Sequence, residues 1–181
     1  MTKNNKKGFT IIEVVLVLAI AGLIFLMVFI ALPALQRSQR NTRRRQDMAR
    51  ILSAFNDYQA NNNGKMPDSP DKLVNFIPRY VDNNCTSAKS STNTNLVTST
   101  GCSDQFTDPD GTIYDIYYNG ALSATGFQNI SGSFDHKIWY IRNAKCDPDT
   151  EGKVIGSKGG NNDIAIAYIL EGSAVYCGDN Q

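Results

Sequence analysis

Glu13 is a lone carboxylate at the mouth of an apolar run, for every residue from Val14 to Leu32 is apolar or Gly. As a helix, those 19 positions reach roughly 28 Å, about the hydrocarbon thickness of a bilayer. An Asp at the centre of a membrane helix costs about 2.5–3.5 kcal/mol on insertion scales, and a Glu near one end should cost less. A charge in that setting points to function and needs a partner. Lys6 and Lys7 lie on the other side of Gly8, which leaves Glu13 with no partner within reach. Cutting the chain between Gly8 and Phe9 would make one, a free amine.

Cysteine chemistry comes next. Cys85, Cys102, Cys146 and Cys177 all lie outside the apolar run, with no C-x-x-C pair and one histidine in the chain, which is poor material for zinc. An even count in an exported domain reads as disulfides. Three connectivities are possible, and loop economy favours Cys85–Cys102 with Cys146–Cys177. His136 sits in Asp135-His136-Lys137 with no Ser or Cys motif beside it, and no P-loop or dinucleotide fingerprint occurs. Catalysis and a bound cofactor are therefore not expected. The acidic loops Asp147-Pro148-Asp149-Thr150-Glu151 and Asp104/Asp108/Asp110 offer oxygen ligands of the kind calcium takes, but neither matches an EF-hand. Asp147, Asp149 and Glu151 are weak calcium candidates, and no metal site is assigned.

Charge is unevenly spread. Arg37, Arg40, Arg43, Arg44, Arg45 and Arg50 are six of the eight arginines. From Ile51 onward nine basic residues face fifteen acidic ones, a net of −6. A basic stem carries an acidic head. The arginines could hold phosphate, as lipid headgroup, cell-wall polymer or nucleic acid, meet acidic groups of neighbouring subunits, or stay solvated. Nucleic acid is not taken as a partner.

These residues need elements to position them. One helix is expected from Phe9 to about Asn61, its 53 positions reaching roughly 80 Å. Gly22 and Pro33 interrupt its pattern, and Pro33 removes a donor, so a kink or loosening is expected there. Arg43 and Asp47 are spaced to pair along one face. Met48, Ile51, Leu52, Phe55 and Tyr58 form an amphipathic face at helical period, expected to pack on a sheet of the same chain. Gly64 is the expected left-handed cap. Ser69-Pro70 opens a short helix, with Ser69 as N-cap, and Pro78 stops it. Residues 82–107 read as a polar loop closed by Cys85–Cys102. Strands are expected over Thr112–Asn119, Lys137–Arg142, Ile164–Leu170 and Ala174–Cys177, with a hairpin turn at Glu171-Gly172-Ser173.

The run Lys6-Lys7-Gly8-Phe9-Thr10-Ile11-Ile12-Glu13, followed by a long apolar helix, resembles the class III signal of type IV pilins and pseudopilins. That resemblance implies that a prepilin peptidase cuts between Gly8 and Phe9 and methylates Phe9. It implies that Glu13 is the assembly carboxylate, pairing with the N-terminal amine of a neighbouring subunit. It also implies that the segment between Gly22 and Pro33 can melt in a filament, although Pro33 lies a few residues later than the family's common proline. Lys65-Met66-Pro67 resembles the turn after this helix in many pseudopilins.

The expected fold is α+β and pilin-like: one long N-terminal helix, transmembrane in its first half, packed against a small antiparallel sheet of three to four strands. Residues 1–8 are a leader, 9–35 a transmembrane and filament-core helix, and 36–62 an amphipathic half. Residues 63–181 form the head, with a disulfide-closed loop at 82–107 and an antiparallel sheet over 112–177. The expected function is a structural subunit of a type IV pilus or related filament serving adhesion, motility or DNA uptake. The alternatives are a pseudopilin of a type II secretion system and a monomeric, signal-anchored extracellular binding module. Expected partners are copies of itself and other pilins, the prepilin peptidase, the inner-membrane assembly machinery, and membrane lipid before assembly. The leader would be cytoplasmic and the head outside, with a surface filament as the final location. A positive-inside count opposes this, because six arginines follow the span against Lys3, Lys6 and Lys7 before it; the cysteines and the resemblance favour the outside. An ordinary secretory signal fits poorly, because small residues should end it where this chain has Leu32-Pro33-Ala34-Leu35-Gln36-Arg37.

Overall fold

The computed structural model describes residues 8–85, 89–91, 95–123, 125–156 and 162–180, with backbone only at 89–91 and at Asp104. Residues 1–7 of the expected leader 1–8, with Lys6 and Lys7, lie outside the described residues. The chain divides into two units, 1–39 and 40–181.

The first unit is helical. Helix α1 (Ile11–Asn61) begins here and runs without a break through Gly22 and Pro33. Its apolar residues are exposed along the whole span: Leu23, Phe25 and Phe29 are each more than 60% accessible. An apolar surface this continuous needs cover from lipid or from other helices. By length and composition this segment can cross a membrane.

In the second unit the later turns of α1 meet a sheet. Met48, Ile51 and Phe55 recur at helical spacing and are fully buried. A side chain of this size, fully buried, contributes about 1.5–3 kcal/mol. Helix α1 ends at Asn61, and Gly64 follows in the left-handed region (φ 77°), its N–H bonding the Gln59 carbonyl at 2.9 Å. Helix α2 (Pro70–Phe76) starts after Ser69, whose carbonyl takes the Lys72 and Leu73 N–H groups while its hydroxyl makes no cap bond. Pro78 does not stop the chain's coiling. Ile77–Val81 continues as one π-helical turn, in which the Asp82 N–H reaches the Ile77 carbonyl at 3.0 Å. Pro78 stands at the start of this π-helical turn, where its missing N–H costs least. Phe76 stacks on Phe55 with ring centroids 4.0 Å apart, locking this segment to α1.

The sheet is larger than three or four strands and is not wholly antiparallel. Strands β1 (Lys89–Ser91), β2 (Leu96–Thr98), β3 (Asp115–Ala121), β5 (Lys137–Arg142), β8 (Ile164–Ile169) and β9 (Val175–Asp179) lie in the order β1-β2-β3-β5-β8-β9. β3 and β5 pair in parallel, joined by a crossover that contains β4 (Phe127–Asn129). β4, β7 (Lys153–Gly156) and β6 (Ala144–Cys146) make a second sheet. Residues 82–107, expected as a loop, carry β1, β2 and a 3₁₀ turn at Asp104–Phe106.

All six residues of β8 are buried because it has a layer on each side. Ile164, Ile166 and Tyr168 join the core under α1, while Ala165, Ala167 and Ile169 join a second core with Ile130, Val154 and Val175. Gly178 in β9 lets α1 close on the sheet, for a Cβ there would meet the Leu52 side chain at 3.3 Å. The β8–β9 hairpin turns through Gly172 and Ser173, both at positive φ. Cys146–Cys177 ties β6 to β9 and so joins the two sheets, and Cys85–Cys102 closes the segment holding β1 and β2. In the chain-entropy account, closing a loop of the latter size contributes very roughly 3 kcal/mol.

Candidate functional site

At the N-terminal end, Gly8 and Phe9 precede the helix and are exposed. Thr10 is the N-cap of α1, since its carbonyl takes the Val14 N–H and its hydroxyl takes the Glu13 N–H, each at 3.4 Å. In return the Glu13 Oε2 accepts the Thr10 N–H and the Thr10 hydroxyl, each at 2.8 Å. This is a capping box, and its sequence signature is the Thr-x-x-Glu spacing itself. From the sequence, Glu13 has no partner within reach; in the structure Thr10 supplies one. Both bonds fall on one oxygen, and among the described residues Oε1 accepts none. Glu13 is thus held at a fixed place in the first helical turn, where the positive end of the helix dipole favours a negative charge. A carboxylate pinned by one oxygen can still offer the other to a cation.

A second polar constellation lies inside the second unit, 40–181. Arg44 is fully buried. Its Nε and Nη2 donate to the two oxygens of Asp108 at 2.6 and 2.8 Å, a forked pair. Its Nη1 donates to Glu171 Oε1 at 2.7 Å and to Asn41 Oδ1 at 3.1 Å. The guanidinium also lies 4.2 Å from the Phe134 ring centre. Arg40 forks onto the two oxygens of Glu171, both at 2.7 Å. The Asn41 side-chain amide donates to the Glu171 carbonyl and accepts the Glu171 N–H. Tyr168 donates to Asp108, and Tyr114 donates to Asp47. Burial first, then the neighbouring carboxylates, raises both phenols, which therefore stay protonated donors. The network fastens α1 to the β8–β9 turn and to the Asp108 turn.

Three of the six stem arginines are thus occupied by the chain's own groups, the third being Arg50, which contacts Asp47 at 3.4 Å and the Gln105 carbonyl. Asp47 does not pair with Arg43 as its spacing suggests; it takes Tyr114 and Arg50 instead. The positive-inside count overstates the stem's charge for the same reason, since Glu171 and Asp108 offset Arg40 and Arg44.

Of the weak calcium candidates, Asp147 has internal partners. Asp147 holds Lys153 at 2.8 Å and the Asp149 N–H at 3.0 Å, and Asp149 and Glu151 are exposed. Near Asp108, His136 Nε2 lies 2.6 Å from Asp110, while both Asp108 oxygens already serve Arg44. A cation there would have to displace a buried guanidinium. The Asp104 side chain lies outside the described residues.

Glu171 carries a testable pH signature. The Arg40 hydrogen bonds hold its carboxyl down at about 2; burial pushes the other way, and the Arg44 contacts add to the lowering. A carboxylate depressed on folding stabilises fully above its unfolded value, about 4.5, and loses that contribution as pH falls toward about 2. The unfolding midpoint of the native chain should therefore exceed that of Glu171→Gln at neutral pH, with the gap closing across that acidic window. A gap that stays constant from pH 6 to about pH 2 would remove the linkage.

No curated protein and no solved structure matches the chain. The fold is α+β and pilin-like, with a long N-terminal helix and sheets. Residues 3–29 match the prokaryotic N-terminal methylation motif, which takes in Gly8, Phe9, the capping box and most of the apolar run; this is consistent with the class III signal of a type IV pilin and supports a pilin-like or pseudopilin protein.

Proposed function

We propose that the chain is a structural subunit of a type IV pilus or related filament, made as a membrane-anchored precursor and assembled through its N-terminal helix. The observation that carries this reading is the methylation motif over residues 3–29, set on a helix whose large apolar side chains from Ile11 to Leu35 are exposed in the single chain. Residues 1–8 are the leader, Gly8–Phe9 the cut, and Phe9 the methylated terminus. Residues 9–35 hold the precursor in the cytoplasmic membrane and later pack in the filament core, where loosening between Gly22 and Pro33 belongs. The leader faces the cytoplasm and the head lies outside, ending on the cell surface. Its partners are copies of itself and other pilins, the prepilin peptidase, the assembly machinery and membrane lipid. The role is structural, and no step of it calls for catalysis.

Glu13 drives the chemistry of assembly. In the membrane its charge is costly, and Thr10 relieves that only in part. The new Phe9 amine of a neighbour meets the free oxygen and completes the pairing, which makes addition directional and fixes register.

The mass of the membrane-extracted protein tests the first step. Loss of residues 1–8 plus one methyl group is the expected result. An intact Met1, or an unmodified Phe9, would instead support a signal-anchored module that stays monomeric.

A further inference from the structure

The head carries an open groove of about 770 Å³ between the end of α1 and the π-helical turn. Tyr58 and Tyr80 form its aromatic wall, edge to face with centroids 5.3 Å apart. Both rings are backed by Phe76, which is itself stacked on Phe55. The position of the wall is therefore set by the buried core. Asn62 Nδ2 donates to the Tyr58 carbonyl at 2.7 Å and to the Tyr80 hydroxyl at 3.4 Å. That orients the amide, leaves its oxygen to accept, and leaves the Tyr80 proton to donate. Arg79 is exposed and has no ion pair among the described residues. Lys72 is held only by a half-exposed pair with Asp68, of a kind worth little in water. Among the described residues no carboxylate is in the groove's lining; Asp68 pairs with Lys72, which is.

We propose that this groove binds an acidic oligosaccharide, with a carboxylate-bearing sugar on Arg79 and an adjoining sugar against the tyrosines. The guanidinium fork matches a carboxylate. Flat phenol rings take the C–H face of a sugar, and the oriented Asn62 amide and Tyr80 hydroxyl take its hydroxyl groups. The size is that of an ordinary ligand site, and the open shape suits a chain that runs across it. A nucleic acid fits less well, although bases stack on tyrosine too. Its binding depends on neutralising many phosphates, whereas the groove offers two cations, Arg79 and Lys72.

The test uses the full chain purified from membranes in detergent. Sialyllactose and a glucuronic-acid disaccharide are titrated against neutral lactose and a twelve-residue oligothymidylate, read by saturation-transfer NMR and calorimetry. At least one acidic sugar should bind about tenfold or more tighter than lactose, since the charge-assisted fork is the main discriminator. Arg79→Gln should cut that affinity about tenfold with an unchanged unfolding midpoint. Tyr80→Ala should also weaken it, with Tyr80→Phe recovering the stacking part. Lys145→Gln, the same charge change on the second sheet, should leave it unchanged. No acidic sugar binding at millimolar concentration, binding indifferent to Arg79→Gln, or tighter binding of the oligothymidylate would each overturn the proposal.

Discussion

Arg44→Ala should cost the head about 3–5 kcal/mol, the usual result of removing one partner from a buried ion pair. The loss has two sources. Asp108 is almost wholly buried, and both its oxygens are bound by Arg44. Glu171 keeps Arg40, so it is compensated, but Asp108 keeps only the Tyr168 hydroxyl and backbone contacts. A charge left so nearly alone in the interior must be neutralised or exposed. The apolar stem of Arg44 and its contact with Phe134 go too. For a domain of this size a loss of that order lowers the unfolding midpoint by roughly 10 °C. Arg44→Met with Asp108→Leu removes both charges and keeps apolar volume, and should be much milder than Arg44→Ala alone. Urea unfolding of the detergent-solubilised chain would measure all three proteins. An Arg44→Ala cost below about 1 kcal/mol, within the range of an exposed pair, would mean that the network does not hold the helix to the sheet.

Arg44 was readable in outline. Arg44, Met48, Ile51 and Phe55 follow at spacings of four, three and four, so the charge sits on the continuation of the buried face. A basic cluster on a helix reads as a solvated stem until that phase is checked. What no spacing could give was the partners, because Asp108 and Glu171 lie 64 and 127 residues away. The same division runs through the fold. Lys137–Arg142 has the bounds expected of it, since β-branched and aromatic residues fill it between turn residues. β8 announced its setting as well, for an unbroken apolar strand implies cover on both faces. The cover itself was hidden. β4, β6 and β7 are three or four residues long, too short to show alternation, and they are fixed by pairing with one another and by Cys146–Cys177. The parallel pairing of β3 with β5 had a sign in the chain between them, residues 122–136, which exceeds the dozen or so residues that a crossover needs. At the N-terminus, the motif was plain from residue types, while the capping box was present as Thr10-x-x-Glu13 and required only the right template.

Glu13→Val should nearly abolish filament assembly while leaving the subunit inserted and cut. Removing the carboxylate makes the helix easier to insert, by about one or more kcal/mol on insertion scales. It also removes the acceptor for the Thr10 N–H and hydroxyl, weakening the start of the helix by an amount typical of a lost cap, about 1 kcal/mol. The two effects are of similar size and opposite sign, so the anchor as a whole should be little changed. If Glu13 served only the cap, Thr10→Val would reproduce the defect, since it deletes the hydroxyl on both sides of the box. If Glu13 serves assembly, Thr10→Val should assemble at a reduced level and Glu13→Val hardly at all, because only the latter takes away the partner of a neighbour's Phe9 amine. Glu13→Gln sorts the remaining possibility. It keeps an acceptor for Thr10 and loses the charge, so it should cap the helix yet still assemble poorly. The measurement compares sheared surface material with the membrane pool for the three variants and the native chain, with the mass of the pool checked for the cut at Gly8. Filament yield from Glu13→Val equal to that of the native chain would show that the carboxylate is a capping group and nothing more.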